Sequence, residues 1–347
     1  MDPLQQWTDV EEALAFAVSR VVDDPDPMND REAADGHRYV MRVLAAVTEN
    51  TLVMKDADRP DFHPMLESTR HLGAAGPDID YDVASLRPGR AYRITGTRGG
   101  ATYVGLCLYD GGSAAGPAAL LDSVDVDALD VARDGSFAWE FSHPDAVRVI
   151  VRQYFHDRAT QPRGKFTIAF TDGEPAPERL PTVEQVAGEL RNTAIQVRWN
   201  LGLNQLWGAE HRETPNRFVR QSAAEIAAAV PNPDVTYAFA WWRVDDGEAL
   251  VVEHTPPVGC RYWALQLCDR WFQCYPDRRS NLNDRQIVPD ADGSVRLVIA
   301  STHLGHPNWI DTGGHTLGTM FFRWLHAEPE ALPTCTVVPI AAAAPLA

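Results

Sequence analysis

Two stretches of this chain, TYVGLCLYD at 102–110 and RYWALQLCD at 261–269, alternate bulky and small side chains and match almost position for position. Such alternation predicts a strand with one buried face in each, over Tyr103–Leu108 and Tyr262–Leu267. Downstream, ARDGSFAWEFS (132–142) matches DADGSVRLVIAS (290–301) around the Asp-Gly pairs Asp134-Gly135 and Asp292-Gly293. Asp-Gly is a strong hairpin signal, so Ser136–Ser142 and Ser294–Ser301 read as strands leaving turns. VRQYFHD (151–157) then matches FRWLHAE (322–328), overlapping the ends of the β-branched and aromatic runs Val147–Phe155 and Thr319–Leu325. The offset between copies is 159 at Tyr103/Tyr262, 158 at Asp134/Asp292 and 171 at Arg152/Arg323. The second copy therefore carries about 13 extra residues, falling on His306–Gly318.

Helical spacing occupies the remainder. Asp9–Val22 and Gly36–Met54 place apolar residues on one side, and Thr182 is an N-cap candidate for Val183–Trp207. Ser222–Val230 reads as a shorter helix stopped by Pro231. The predicted architecture is mainly β with helical additions: two jelly-roll or β-sandwich domains related by internal duplication, N-terminal helices and a long connecting helix. The divisions are a helical segment at 1–79, a first sandwich at 80–180, a helical connector at 181–230 and a second sandwich at 231–340. The stretch DRPDFHPMLES (58–68) reads as a proline-rich connector.

Charge and cysteine content narrow the setting. A net charge of −17 repels nucleic acid and anionic membrane surfaces, so neither is an expected partner. No run of 18 apolar residues is present, and the N-terminus lacks a basic start followed by an apolar core. Five cysteines without paired spacing fit reduced thiols, and the expected location is the cytoplasm. A small-molecule substrate or ligand is the expected partner, with a homo-oligomer left open.

Chemistry-bearing groups concentrate in THLGHPNWIDTGGHTLGTMFFRW (302–324), which holds three histidines, Asn308, Trp309, Asp311, Arg323 and four glycines. One reading is acid–base work on a small organic substrate, hydrolysis or a lyase-type proton transfer. In that reading His315 is the proton-transfer group, Asp311 orients it through Nδ1–H, and Asn308 donates to a developing oxyanion. Arg323 holds an anionic group in its planar fork, and Trp309 takes the apolar part. The duller alternative has Asp311 capping a turn, His315 satisfying buried carbonyls and Arg323 pairing with a strand neighbour.

CRYWALQLCDRW, SNLNDRQIVPDADGSVRLVIAS and PNWIDTGGHTLGTMFFRW together resemble the family called domain of unknown function 1214, over about residues 230–325. The elements that carry the resemblance are Tyr262-Trp263, Ser280–Asn283, Asp292-Gly293, Asn308–Asp311, Gly314-His315 and Arg323-Trp324. It implies a C-terminal jelly-roll-like β domain, often preceded by another β domain, and no established reaction. Tyr262, Trp263 and Asn283 are further substrate-binding candidates. Where the family has Asp-Pro-Gly, this chain has His303-Leu304-Gly305-His306, so those two histidines depart from the pattern.

Two further readings compete. His303, His306 and His315, with Asp311, form H-x2-H-x4-D-x3-H, a donor set for a divalent metal, although no cofactor is expected. Six of the ten tryptophans lie within 231–330, as a non-catalytic sandwich that binds a carbohydrate or lipid-like ligand would place them.

Overall fold

The computed structural model describes residues 3–53, 56–66, 72–111, 118–177, 180–206, 208–221, 232–275 and 277–343. Two helices open it, α1 (Pro3–Val22) and α2 (Asp30–Val53). A first β module follows with β1 (His63–Leu66), β2 (Ile79–Ser85), β3 (Ala91–Thr97), β4 (Tyr103–Tyr109), β5 (Leu120–Asp125), β6 (Ser136–Ser142), β7 (Arg148–Tyr154) and β8 (Lys165–Phe170). Helix α3 (Val183–Leu206) leads to the second module. Its strands are β9 (Val219–Arg220), β10 (Val235–Arg243), β11 (Glu248–His254), β12 (Tyr262–Asp269), β13 (Asn281–Asn283), β14 (Val295–Ala300), β15 (Trp309–Asp311), β16 (Leu317–Leu325) and β17 (Thr334–Pro339).

The protein is mainly β with helical additions, as the alternation and turn signals predict. Each module is a two-sheet sandwich. The first pairs a sheet of order β1-β2-β7-β4-β5 with one of order β6-β3-β8; the second pairs β13-β12-β16-β10-β9 with β15-β14-β11-β17. The central orders β2-β7-β4-β5 and β10-β16-β12-β13 correspond strand for strand, a likeness of topology that does not by itself establish duplication. Each sandwich has its own core, around Leu106, Val151 and Phe137 in the first and Leu265, Leu297 and Phe322 in the second.

The two five-stranded sheets also meet face to face. Ile79, Tyr103 and Tyr154 pack on Val235, Tyr262 and Leu325, with Tyr103–Tyr154 and Tyr154–Tyr262 ring centroids both 5.4 Å apart. A strand in such a sheet has protein on both faces. That is why β4 and β12, which read as half-buried from their alternation, are buried at every position.

The N-terminal helices and the connecting helix pack on one another, because α1, α2 and α3 share a core with Trp271. Helix α2 starts six residues before the spacing predicts. Asn29 accepts from the Glu32 N–H (2.9 Å) while Glu32 accepts from the Asn29 N–H (3.0 Å), a reciprocal cap. Gly36, which reads as a start, lies inside the helix because a side chain there would strike Trp271 and Val21. Thr182 caps α3 in the same reciprocal way with Gln185. Residues 63–66 are not a connector, since β1 pairs with β2. The expected helix at Ser222–Val230 lies outside the described residues.

His254 shows how the second core handles a titratable group. It is buried among Trp263, Phe322 and Trp324, and its Nε2 accepts from the Trp324 indole N–H at 3.1 Å. Burial pushes its pKa down to about 4. As pH falls below the ordinary 6.5, the unfolded chain therefore takes up a proton that the folded core resists. Stability is complete above about pH 6.5 and declines toward pH 4, by on the order of 3 kcal/mol for a shift of this size. His254→Gln keeps an acceptor for the indole and does not titrate. Urea unfolding across this range is expected to show a flatter profile in His254→Gln, and an unchanged slope would refute the assignment.

Candidate functional site

The 302–324 segment is built mainly as scaffold. Asp311 does not reach His315: its Oδ1 accepts from the Gly313 N–H at 2.7 Å, closing an Asx turn onto a glycine with φ 65°. Asn308 is buried with its amide committed on both sides. It donates to the Val288 and Arg296 carbonyls (2.7 and 2.9 Å) and accepts from the Val288 N–H (2.8 Å), so it has no donor left for an oxyanion. Trp309 donates to the Ala300 carbonyl at 3.0 Å and carries the exposed His303 ring edge-on.

The metal arrangement is not assembled either. His303 and His306 turn Nδ1 to the N–H groups of Gly305 and Asn308, while His315 is buried elsewhere. Among the described residues no three His, Cys, Asp or Glu side chains group as a metal would need.

His315 is oriented by a residue far away in sequence. Its Nε2 lies 3.1 Å from both Asp35 Oδ2, on α2, and the Tyr275 hydroxyl. That hydroxyl donates onward to Asp269 Oδ2 at 2.8 Å. Burial raises the Asp269 carboxyl above its ordinary range. For Asp35 burial also acts upward, but the bond from His315 and the Arg31 charge outweigh it and hold the carboxyl low. The knot ties α2 to the second module. It is sealed, and His315 Nδ1 has no hydrogen-bond partner.

Tyr262 and Asn283 converge, but on structure. Tyr262 Oη donates to Asp78 Oδ2 at 3.0 Å and Asn283 Nδ2 to the same oxygen at 2.8 Å, pinning the turn that leads into β2. Trp263 belongs to the second sandwich core, as do Trp242 and Trp324. The tryptophan cluster is therefore mostly core, while Trp199 on α3 lines a cavity.

That cavity holds about 960 Å³, within the range of small-molecule sites, and lies where the two large sheets part beneath α2 and α3. Arg323, from β16, reaches its wall from a nearly buried position. Nη1 donates to Gln266 Oε1 (2.7 Å) and Nη2 to the Ala74 carbonyl (3.1 Å), both uncharged acceptors, and Nε is buried without a partner. Among the described residues no carboxylate lies within ion-pair distance of it. Arg148 and Arg152 of β7 share the wall with Tyr81 and Tyr237. Four arginines (the fourth is Arg87) face three carboxylates, Asp56, Asp58 and Glu189, and Asp58 is already paired with Arg87 at 2.6 Å. In a chain of net charge −17 this is a locally cationic concavity.

The wall is also strained. Four described non-glycine residues have left-handed φ, and two of them, Ala74 (61°) and Phe272 (65°), line this cavity and are bonded to one another. Such outliers collect at ligand sites. Gly76 admits the Arg323 guanidinium, because a Cβ there would overlap Nη1. Gly76→Ala is expected to cost about 1–3 kcal/mol by overpacking, read as a lowered thermal midpoint. A variant as stable as the parent would show that Arg323 is not held as described.

Of the candidates read from sequence, Arg323 alone reaches the cavity; Arg148, Arg152, Tyr81, Tyr237 and the His315 partner Asp35 were missed. The available signal was the alignment of Arg152 with Arg323, two arginines embedded in otherwise apolar strands.

The resemblance to domain of unknown function 1214 is overturned. The family whose model matches is described as "Protein of unknown function (DUF1254)", over residues 215–311. The match stops before Gly314-His315 and Arg323-Trp324. A solved structure of an uncharacterised protein from Burkholderia cenocepacia is 29% identical, covers 97% of this chain and 98% of its own, and superposes with a TM-score of 0.90. The VPA0106 protein from Vibrio parahaemolyticus is 12% identical over 94% of this chain and 100% of its own, with a TM-score of 0.49. No curated protein matches.

Proposed function

We propose that this protein binds a small organic anion in the cavity between its two β modules, with Arg323 as the anchor. One observation carries the reading: a guanidinium almost wholly buried on the cavity wall, held by neutral acceptors, with a buried Nε left over. A buried charge without a counter-charge is costly, and a carboxylate in the cavity offsets that cost through the planar fork. The apolar wall, with Leu72, Phe272 and Phe321, suits the body of an organic molecule.

Hydrolysis or proton transfer run by His315 and Asp311 is not the reading the geometry favours, because both side chains are committed away from the cavity. Nor do the tryptophans favour a stacked carbohydrate. A cytoplasmic location stays part of the proposal, supported by five free thiols. Melting the full chain against a panel of carboxylates and their neutral amides tests the binding reading. Carboxylates are expected to raise the midpoint while the matching amides do not. Equal responses from both would end it.

A further inference from the structure

The cavity presents its cationic groups in two places. At the first, two arginine–tyrosine pairs occupy equivalent register in the two large sheets: Arg152 lies opposite Tyr81, and Arg323 opposite Tyr237. Each guanidinium sits near its partner's ring, at 5.8 and 5.9 Å from the centroid. The groups form one cluster, since both arginine charges act on Tyr81 and on the buried Tyr154, whose hydroxyl has no hydrogen-bond partner. Burial raises both phenols, so they are neutral donors at physiological pH and contribute no counter-charge.

The second place is Arg148. It precedes Arg152 by four residues on the same face of β7, about 13 Å along the strand, and also lines the cavity. Its Nε is buried without a partner, and among the described residues no carboxylate lies within ion-pair distance. Asp110, the carboxylate whose charge acts on it, accepts instead from the Ala119 N–H at 2.7 Å.

We infer that the ligand is an organic dianion with its charges at opposite ends, one on Arg323 beside Arg152 and the other on Arg148, with an apolar body between. This rests on the reading of the cavity as an anion site and adds the second charge. A phosphate monoester concentrates its charge at one end and leaves Arg148 unused, so the geometry favours an α,ω-dicarboxylate.

Titration calorimetry of the full chain with α,ω-dicarboxylates of increasing length, the matching monocarboxylates and an alkyl phosphate tests it. One dicarboxylate length is expected to bind at least about tenfold more tightly than its monocarboxylate. Arg148→Gln is expected to erase that advantage and leave the monocarboxylate Kd within about twofold, while Arg148→Lys, which keeps the charge, retains most of it. Circular dichroism checks that each variant folds. Dicarboxylates binding no better than monocarboxylates, an Arg148→Gln variant indistinguishable from the parent, or an alkyl phosphate outbinding every dicarboxylate would each overturn the inference. The simpler anion site survives those results as long as monocarboxylates bind in an Arg323-dependent way; losing that dependence defeats the simpler reading instead.

Discussion

Arg323→Gln is expected to weaken organic-anion binding by roughly 30-fold to several thousandfold, equivalent to about 2–5 kcal/mol, the usual loss when a buried charged contact is truncated. The same substitution is expected to leave the stability of the ligand-free protein within about 1 kcal/mol of the parent, or to raise it. It removes a buried charge held only by neutral acceptors, and glutamine can still donate to Gln266 or to the Ala74 carbonyl. Loss of binding without loss of stability marks a residue kept for its ligand. Calorimetry and urea unfolding on one preparation read both. If stability collapses by several kcal/mol, Arg323 is a structural residue.

Arg270→Ala is expected to do the opposite, costing about 3–5 kcal/mol with no direct effect on the cavity. Arg270 is fully buried just after β12 and bridges Asp24 (3.1 Å) and Glu32 (3.0 Å), both themselves buried. It also donates to the carbonyls of Asp26 and Pro27, so it fastens the α1–α2 turn to the second module. For Glu32 burial acts upward, but the Thr316 N–H and the Arg270 charge outweigh it and hold the carboxyl below its ordinary range. Without the guanidinium, two buried carboxylates lose a shared counter-charge, although Arg212 still holds Asp24. Guanidinium unfolding measures this, and a loss under about 1 kcal/mol would contradict it.

The strands were readable because their signals are local. Asp134-Gly135 and Asp292-Gly293 form tight turns that open β6 and β14, but they do not close hairpins, since β6 pairs with β3 and β14 with β11 rather than with the strand before the turn. Bulky-small alternation survives in β4 and β12 even though both faces are covered. The α2 start was misread because a glycine at 36 argues against a helix locally. Only the packing of Trp271, 235 residues later, explains it.

The candidate site was readable at one residue, for a related reason. Polar groups are dense at 302–315 because a loop linking two strands must satisfy its own backbone. Asp311, Asn308, His303 and His306 do that work on neighbours or on strands alongside. Arg148, Arg152, Arg323, Tyr81 and Tyr237, which line the cavity, come from β2, β7, β10 and β16, and nothing in local spacing says that these strands share a space. His315 shows the same limit, since Asp35, its carboxylate partner, stands 280 residues away.

A crystal structure of the protein grown with a tight-binding carboxylate tests the central claim most directly. The claim requires density for the ligand between the two large sheets, with a carboxylate oxygen within hydrogen-bond distance of the Arg323 guanidinium. Density on the 303–311 loop, or anywhere outside that cavity with Arg323 unchanged, would contradict it.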